Sequence, residues 1–417
     1  MQKCKGSRDL LPQEMARFRH VEKVFRDSCL SCGYEEIRTP TLEYLHLFTS
    51  VGTLTPSMIG KVYSFLDWDG WSGQRVVLRP DATIPAARLC IENMREQQPV
   101  KIFYVENMFS FEDTGKQSRE RWQCGAELLG DNSLSADAEQ ILIALDILKK
   151  LGISNIELRL SHAELLKSLL EGLGLSPEEQ GQTLDQILDG NMEVLRKAVE
   201  DNPRFSSVVP LLFESKGKSP GFLKNVQASL GAIDPKIAPS LTDFIAITEL
   251  LSAVDCQYEI DIASGKGFEY YTGIIFQLYL NGMKLGGGGR YNDLVPLLGG
   301  GIVPASGFAL YMDDLIDIVA SNELKESSYP KILVTSDTKG LEEWRLMIET
   351  ARALRENGYI AETSQSDENS KDYAWMLRVQ KGRETPNLSL KNSATGKKFD
   401  SSSITDVVNK IQEARGQ

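Results

Sequence analysis

Lys101-Ile-Phe-Tyr-Val-Glu-Asn-Met-Phe-Ser-Phe111, the polar stretch 112–121, and Trp122-Gln-Cys-Gly-Ala-Glu-Leu-Leu129 carry the reading that decides the fold. Two apolar runs rich in strand-forming residues, joined by a charged segment with a glycine, predict two antiparallel strands and their connection. On the return strand Gln123 and Glu127 are four residues apart and so share one face. Two polar side chains on one face of a central strand are costly unless they meet a ligand or each other. The alternative is a solvated sheet face.

Upstream, Met15, Phe18, Val21, Val24 and Phe25 recur at helical spacing, which predicts a helix over 12–29 ending before Gly33. Short strands are expected at 34–38, 62–66 and 74–78, with a helix at 86–95. Downstream, a helix over 136–151 ends at Gly152. Residues 164–255 read as helices broken at Gly190-Asn191, Asn202-Pro203 and 216–221, a helical insertion in a β-rich domain. Strand patterns resume at Tyr258, Ile260 and Ile262 and over 273–280, followed by a helix at 311–321. A polar linker ends at Pro330, so the expected domains are 1–328 and 329–417. The second opens with a strand at 331–335. Its first helix is expected to turn Leu341, Trp344, Ile348, Ala351 and Leu354 toward a core and to close at Asn357-Gly358. The fold class is α+β: an antiparallel sheet with flanking helices, a helical insertion and a small C-terminal α/β domain.

Composition narrows the function. The 417 residues are 41% hydrophobic and 25% charged, an ordinary globular profile. No apolar run approaches the roughly 18 residues of a membrane span, and the N-terminus lacks an apolar signal region. The net charge of −12 argues against a large nonspecific nucleic-acid surface. Residues 331–417 carry 14 Lys+Arg against 13 Asp+Glu, so the C-terminal region is not basic either. Six cysteines do not suggest a disulfide framework, and the cytoplasm is the expected compartment. Cys29-Leu-Ser-Cys32 has CxxC spacing without a second ligand pair, so neither a metal nor a redox role is expected. Three histidines, His20, His46 and His162, support no Ser-His-Asp arrangement.

Three further clusters can carry chemistry. Arg79-Pro-Asp-Ala-Thr83 follows an apolar strand; Asp81 and Thr83 can bind an ammonium or imidazole group, or simply cap a helix. In Ser264-Gly-Lys-Gly-Phe-Glu-Tyr-Tyr-Thr-Gly273, Lys266 between glycines can approach a ligand, and Tyr270 and Tyr271 add rings and hydroxyls. A solvated turn at a strand end is the plain alternative. Gly286-Gly-Gly-Gly-Arg-Tyr-Asn-Asp293 suits a backbone that lies close to something, or a floppy hairpin.

Taken in order, these segments resemble the class II histidyl-tRNA synthetase family over nearly the whole chain. Gly6-Ser-Arg-Asp-Leu-Leu-Pro12 and Gly33-Tyr-Glu-Glu-Ile-Arg-Thr-Pro40 with Glu43 are similar to its N-terminal segment and dimer-forming first motif. Arg79-Pro-Asp-Ala-Thr83 is similar to RPEGT, and Gln123-Cys-Gly-Ala-Glu127 resembles the end of the second motif. Lys266-Gly-Phe-Glu-Tyr-Tyr271 resembles RGLDYY, and Gly287-Gly-Gly-Arg-Tyr-Asn-Asp293 resembles GGGRYD. Gly307-Phe-Ala-Leu-Tyr-Met-Asp-Asp-Leu315 resembles the third motif.

The departures bear on activity. Ser110 stands where the resemblance expects the arginine of MFR-x-E against the ATP α-phosphate, and Asp314 where it expects the third-motif arginine. Lys266 replaces the arginine of RGLDYY. Phosphoryl and adenylyl transfer need cations aimed at developing negative charge, and losing one such donor costs about 100- to 1000-fold in rate. The resemblance therefore implies no catalytic residue and no cofactor, with Ser110 and Asp314 as lost ATP-site positions. The amino-acid pocket it implies is better kept: Asp81, Thr83, Gln123, Glu127, Lys266, Tyr270, Tyr271 and Tyr291 fall where histidine is recognised.

A kept pocket without ATP-handling cations resembles the synthetase-like regulatory subunits of ATP phosphoribosyltransferase. The segment Ser118-Arg-Glu-Arg-Trp-Gln-Cys-Gly-Ala-Glu127 is closer to that branch. The resemblance implies binding of L-histidine, a short-form catalytic subunit as partner, and a homodimer within a hetero-oligomer, with tRNA not expected as a ligand. Residues 331–417 resemble a degenerate anticodon-binding domain, with Leu388-Ser-Leu-Lys-Asn-Ser-Ala-Thr-Gly396 as its strand and turn. A divergent histidine–tRNA ligase is the alternative.

Overall fold

The computed structural model describes residues 2–52, 59–67, 73–94, 99–111, 118–188, 191, 193–200, 202–206, 209, 213, 216–230, 235–262, 271–319, 330–337, 340–364, 373–382 and 385–414. The chain divides into two compact units, Met1–Glu323 and Leu324–Gln417.

In the first unit the strands are β1 (Glu35–Glu36), β2 (Leu42–Tyr44), β3 (Ser64–Leu66), β4 (Arg75–Leu78), β5 (Val100–Phe109), β6 (Glu120–Leu129), β7 (Glu157–His162), β8 (Glu259–Ile260), β9 (Ile274–Leu280), β10 (Met283–Arg290) and β11 (Ala305–Tyr311). Eight form one sheet in the order β1-β5-β6-β11-β10-β9-β7-β8, and β2-β4-β3 form a smaller one. The large sheet is antiparallel except where β1 meets β5 and β7 meets β8. The expected β5–β6 pair is its backbone, running in register from Val100↔Leu129 to Phe109↔Glu120.

Alternation divides the sheet's two faces. Phe103, Ala126 and Phe308 are register partners on the back face. The helix Pro12–Ser31 packs there, and Phe25 meets Phe103 and Phe308 edge-on at 6.0 and 6.3 Å. Cys29 is buried in the same helix, and burial pushes its thiol up. Among the described residues no cluster of three or more His, Cys, Asp or Glu could hold a metal, and no helix is long and apolar enough to cross a membrane.

Gly286–Gly289 are not a floppy hairpin. They form the middle of β10, between β9 and β11. A Cβ on Gly286, Gly287, Gly288 or Gly289 would lie 2.3, 2.5, 2.1 or 2.3 Å from a carbonyl oxygen of a neighbouring strand. The turn itself is Asn281-Gly282, at φ 51° and 82°, the tight geometry that hairpins favour. The insertion is helical as expected, with helices such as Ala163–Gly172, Pro220–Leu230 and Ala238–Ala253. The helix expected at 311–321 is Met312–Val319, because Tyr311 still belongs to β11.

The second unit has β12 (Lys331–Thr335), β13 (Ile360–Ser364), β14 (Trp375–Gln380), β15 (Asn387–Asn392) and β16 (Lys398–Ser401), ordered β13-β12-β14-β15-β16. Helices Leu341–Glu356 and Ile404–Glu413 supply Met347, Ala351, Leu354, Val407 and Ile411 to the core with Ile332 and Val334. The first helix buries Ala351 and Leu354 as expected but is rotated away from Leu341, Trp344 and Ile348. Leu341, Trp344 and Ile348 are 81%, 51% and 39% exposed, whereas Met347, Thr350, Ala351 and Leu354 are buried. Two apolar stripes overlap along this helix, and only docking against the sheet chooses between them.

Candidate functional site

Glu127 is the centre of the site. It lies on the front face of β6, and its neighbour across β11 is Gly307. A Cβ on Gly307 would sit 1.8 Å from Glu127 Oε2, so glycine there makes room for the carboxylate. Gly125 does the same for Tyr104 on β5, whose Cζ would lie 2.2 Å from a Cβ at that position. Glu127 then accepts hydrogen bonds from Thr83 Oγ1 at 2.8 Å, from the Tyr104 hydroxyl at 3.0 Å and from the Tyr291 hydroxyl. The residue is only 2% exposed. Burial pushes its carboxyl up to about 8; the three hydroxyls pull it down and the Asp81 charge pushes it up.

The sequence-predicted residues divide into four groups. Thr83, Glu127 and Tyr291 share hydrogen bonds, and Tyr271 meets Tyr291 edge-on at 6.5 Å and packs over Gly289. Asp81 sits close enough to affect Glu127, yet its Oδ1 accepts the Ile84 amide at 2.9 Å and so caps the helix Thr83–Asn93. Burial raises the Asp81 carboxyl while the Ile84, Thr83 and Ala82 amides lower it. Gln123 shares the face of Glu127 but pairs with Glu106 and Tyr311, about 13 Å along the strand. Lys266 and Tyr270 lie outside the described residues. Tyr104 is the residue sequence reasoning missed; Gly125 inside a strand was the available signal of a close approach.

Two arginines of the motifs brace the site. Arg79 bonds Glu106 Oε2 at 2.6 Å, the Thr39 carbonyl at 2.9 Å and Asn107 through Nε and Nη2 at 2.8 and 3.0 Å. Arg290 grips Asp137 through Nε and Nη2 at 2.9 and 2.8 Å. The first fixes the turn that carries Asp81 and Thr83; the second fixes the backbone just before Tyr291.

Ser110 and Asp314, the positions at which the resemblance leads one to expect arginines, bring no cation. Ser110 is exposed beyond β5, its amide donating to the Arg119 carbonyl at 3.0 Å. Asp314 stands in the first turn of the helix Met312–Val319 beside Asp313. Burial and the Asp313 charge raise its carboxyl, and Arg121 lowers it. Asp313 accepts the Trp122 amide at 2.6 Å and pairs with Arg8 at 3.3 Å. A triphosphate would meet carboxylates here.

Gly307→Ala follows as a test of this packing. The added methyl must displace the Glu127 carboxylate or the Ala126 carbonyl, 2.7 Å away. Overpacking of this kind costs about 1–3 kcal/mol. A lower midpoint in urea unfolding is expected; a variant as stable as the wild type would refute the crowding.

The model of the histidyl-tRNA synthetase family matches residues 6–315. The chain is 48% identical over 378 residues, 91% of its own length and 91% of the relative's, to an ATP phosphoribosyltransferase regulatory subunit of Dehalococcoides mccartyi. It is 31% identical to a histidine–tRNA ligase of Methanosarcina acetivorans, over 98% of this chain and 97% of the relative. A crystal structure from Bacillus halodurans, described as an ATP phosphoribosyltransferase regulatory subunit/histidyl-tRNA synthetase, shares the fold with a TM-score of 0.74 at 24% identity. It covers 89% of this chain and 94% of that one. With the family's motifs in order and its model matched over most of its length, the chain belongs to the histidyl-tRNA synthetase family.

Proposed function

We propose that this chain is a non-catalytic regulatory subunit of ATP phosphoribosyltransferase, the first enzyme of histidine biosynthesis, and binds histidine around Glu127 for feedback control. The observation that carries the reading is the contrast on one sheet face. The Glu127 carboxylate keeps its Thr83, Tyr104 and Tyr291 hydroxyls, while Ser110 and Asp314 stand at the ATP positions. The relatives at 48–49% identity named as such subunits support the assignment.

In this reading a cationic group of the ligand draws the proton off Glu127 and pairs with Glu127 and Asp81, Tyr271 and Tyr291 wall the imidazole, and Gln123, Lys266 and Tyr270 complete the pocket. The partner is a short-form catalytic subunit. Exposed Leu42, Tyr44, Phe65 and Leu66 on β2 and β3 support a homodimer through the first motif. The protein works in the cytoplasm and takes no tRNA.

The test is histidine-dependent ATP–pyrophosphate exchange beside a thermal shift with histidine on the same sample. Stabilisation without exchange is expected, and histidine should inhibit a short-form transferase only when this chain is present. The similarity to a Methanosarcina ligase along 98% of the chain favours a second reading, a divergent ligase. Robust exchange would establish that reading and sink the regulatory one.

A further inference from the structure

Residues 271–273, which bring Tyr271 to the site, belong to no strand, so their backbone groups need partners from elsewhere. The carbonyls of Tyr271 and Gly273 find them in one element, the helix Ala163–Gly172 that opens the insertion. The Lys167 ammonium donates to the Tyr271 carbonyl at 3.3 Å, and the Ala163 amide donates to the Gly273 carbonyl at 2.9 Å. Between them the Thr272 amide donates to the Arg290 carbonyl at 2.8 Å. Ala163 and Lys167 are four residues apart and so share one face of the helix. Ala163 also packs with Ile275 and with the Tyr271 ring.

Lys167 is not placed by ordinary surface pairing. Among the described residues this half-buried side chain makes no ion pair within 4.0 Å. Glu171, one turn on, meets Lys236 at 3.1 Å instead. Fixing a long lysine side chain costs rotamer freedom, and here that freedom is given up for one backbone carbonyl 104 residues away. The rest of the helix belongs to the insertion. Leu165, Leu166, Leu169 and Leu170 are buried, and the helix packs against the helices Pro177–Leu188 and Ala238–Ala253. At its start His162 Nδ1 accepts the Leu165 amide at 3.3 Å, and the His162 ring lies 5.8 Å from that of Phe244. A single helix therefore holds the Tyr271 segment at one end and the insertion along its length.

We infer that Lys167 is a positioning residue of the histidine pocket, which fixes Tyr271 against Tyr291 and so couples ligand binding at Glu127 to the helical insertion. The inference rests on the reading of Glu127 as the histidine site. The chain of contact is continuous: Glu127 accepts the Tyr291 hydroxyl, Tyr291 meets the Tyr271 ring edge-on, and the Tyr271 carbonyl accepts Lys167. A ligand that restrains the Tyr271 ring restrains residues 271–273, and through two hydrogen bonds it restrains the first turns of the helix. Lys167 acts through the Tyr271 backbone. The plain alternative is a staple that stabilises the fold and carries no signal.

Amide hydrogen exchange of the full chain with and without saturating histidine, beside calorimetric titration of histidine, separates the two. In the wild type, histidine is expected to slow exchange in the helix Thr83–Asn93, whose Thr83 donates to Glu127, and also in the helix Ala163–Gly172. Lys167→Met should bind histidine about tenfold more weakly through loss of one charge-assisted hydrogen bond. At saturation it should still protect the first helix but no longer the second. Lys167→Gln, too short to reach the carbonyl, should match it, and Lys167→Arg, which keeps a charged donor, should recover both effects. No protection of Ala163–Gly172 in a wild type that binds histidine would overturn the inference alone. So would a Lys167→Met variant with a lower Tm but unchanged affinity and protection, which is the behaviour of a staple. No histidine binding by the wild type would sink the reading of Glu127, and this inference with it.

Discussion

Glu127→Gln is expected to weaken histidine binding about 10- to 100-fold while leaving the chain folded. The substitution keeps the shape that Gly307 accommodates but removes the carboxyl that can give up its proton and become charged among three hydroxyl donors when a cationic ligand arrives. A hydrogen bond to a charged group contributes about 1.5–3 kcal/mol, which sets that range. The same variant reports on the buried carboxyl. Its pKa in the folded chain is about 8, against an ordinary 4.5, so the folded state holds a proton that the unfolded chain releases. The corresponding stability is fully present below about 4.5 and is lost as pH rises toward 8. Wild type should therefore lose stability relative to Glu127→Gln between pH 5 and pH 8 in urea unfolding. Parallel pH profiles for the two proteins would show that Glu127 is already ionised, and undiminished histidine binding would remove it from the pocket.

Arg79→Ala is expected to cost about 3–5 kcal/mol, the penalty for stranding a buried carboxylate. Arg79 and Glu106 have side chains 3% and 1% exposed, and Glu106 also accepts from the Thr39 amide and hydroxyl at 2.6 and 2.8 Å. Removing the guanidinium leaves Glu106 charged in the interior and frees the turn that presents Asp81 and Thr83. Arg79→Met combined with Glu106→Leu should recover part of the loss, because both charges go together, though the Thr39 donors stay unpaired. The check is the unfolding midpoint of the single and double variants. A single variant within about 1 kcal/mol of the wild type would mean that the pair contributes little. Arg79 belongs to a motif of the family, and in this chain it braces the turn that carries Asp81 and Thr83.

These two residues mark where sequence reasoning stops. Strand β6 was legible because alternation is a property of the local chain: Gln123 and Glu127 had to share a face wherever the strand lay. The order of motifs was legible for the same reason, as were the helix at the N-terminus and the helical insertion. The long-range partners were not. Tyr104 reaches Glu127 only because Gly125 stands opposite it across the β5–β6 ladder, and the register of a ladder is not written in either strand alone. Asp81 reads locally as a cap, and its carboxylate does accept the Ile84 amide at 2.9 Å, but its closeness to Glu127 comes only from the fold.

The helix Leu341–Glu356 makes the point from the other side. Its sequence supports apolar stripes through Trp344 and through Met347, and the sheet of the second unit buries the latter. Gly286–Gly289 likewise read as either a hairpin or a close approach, and their place between β9 and β11 decided it. By itself the sequence determined which elements form and which residues they carry, because propensity and periodicity act within a few residues of chain. Only the tertiary structure decided which polar groups meet, because a buried carboxylate or guanidinium is satisfied by partners tens to hundreds of residues away, such as Glu127 by Tyr291 or Asp137 by Arg290.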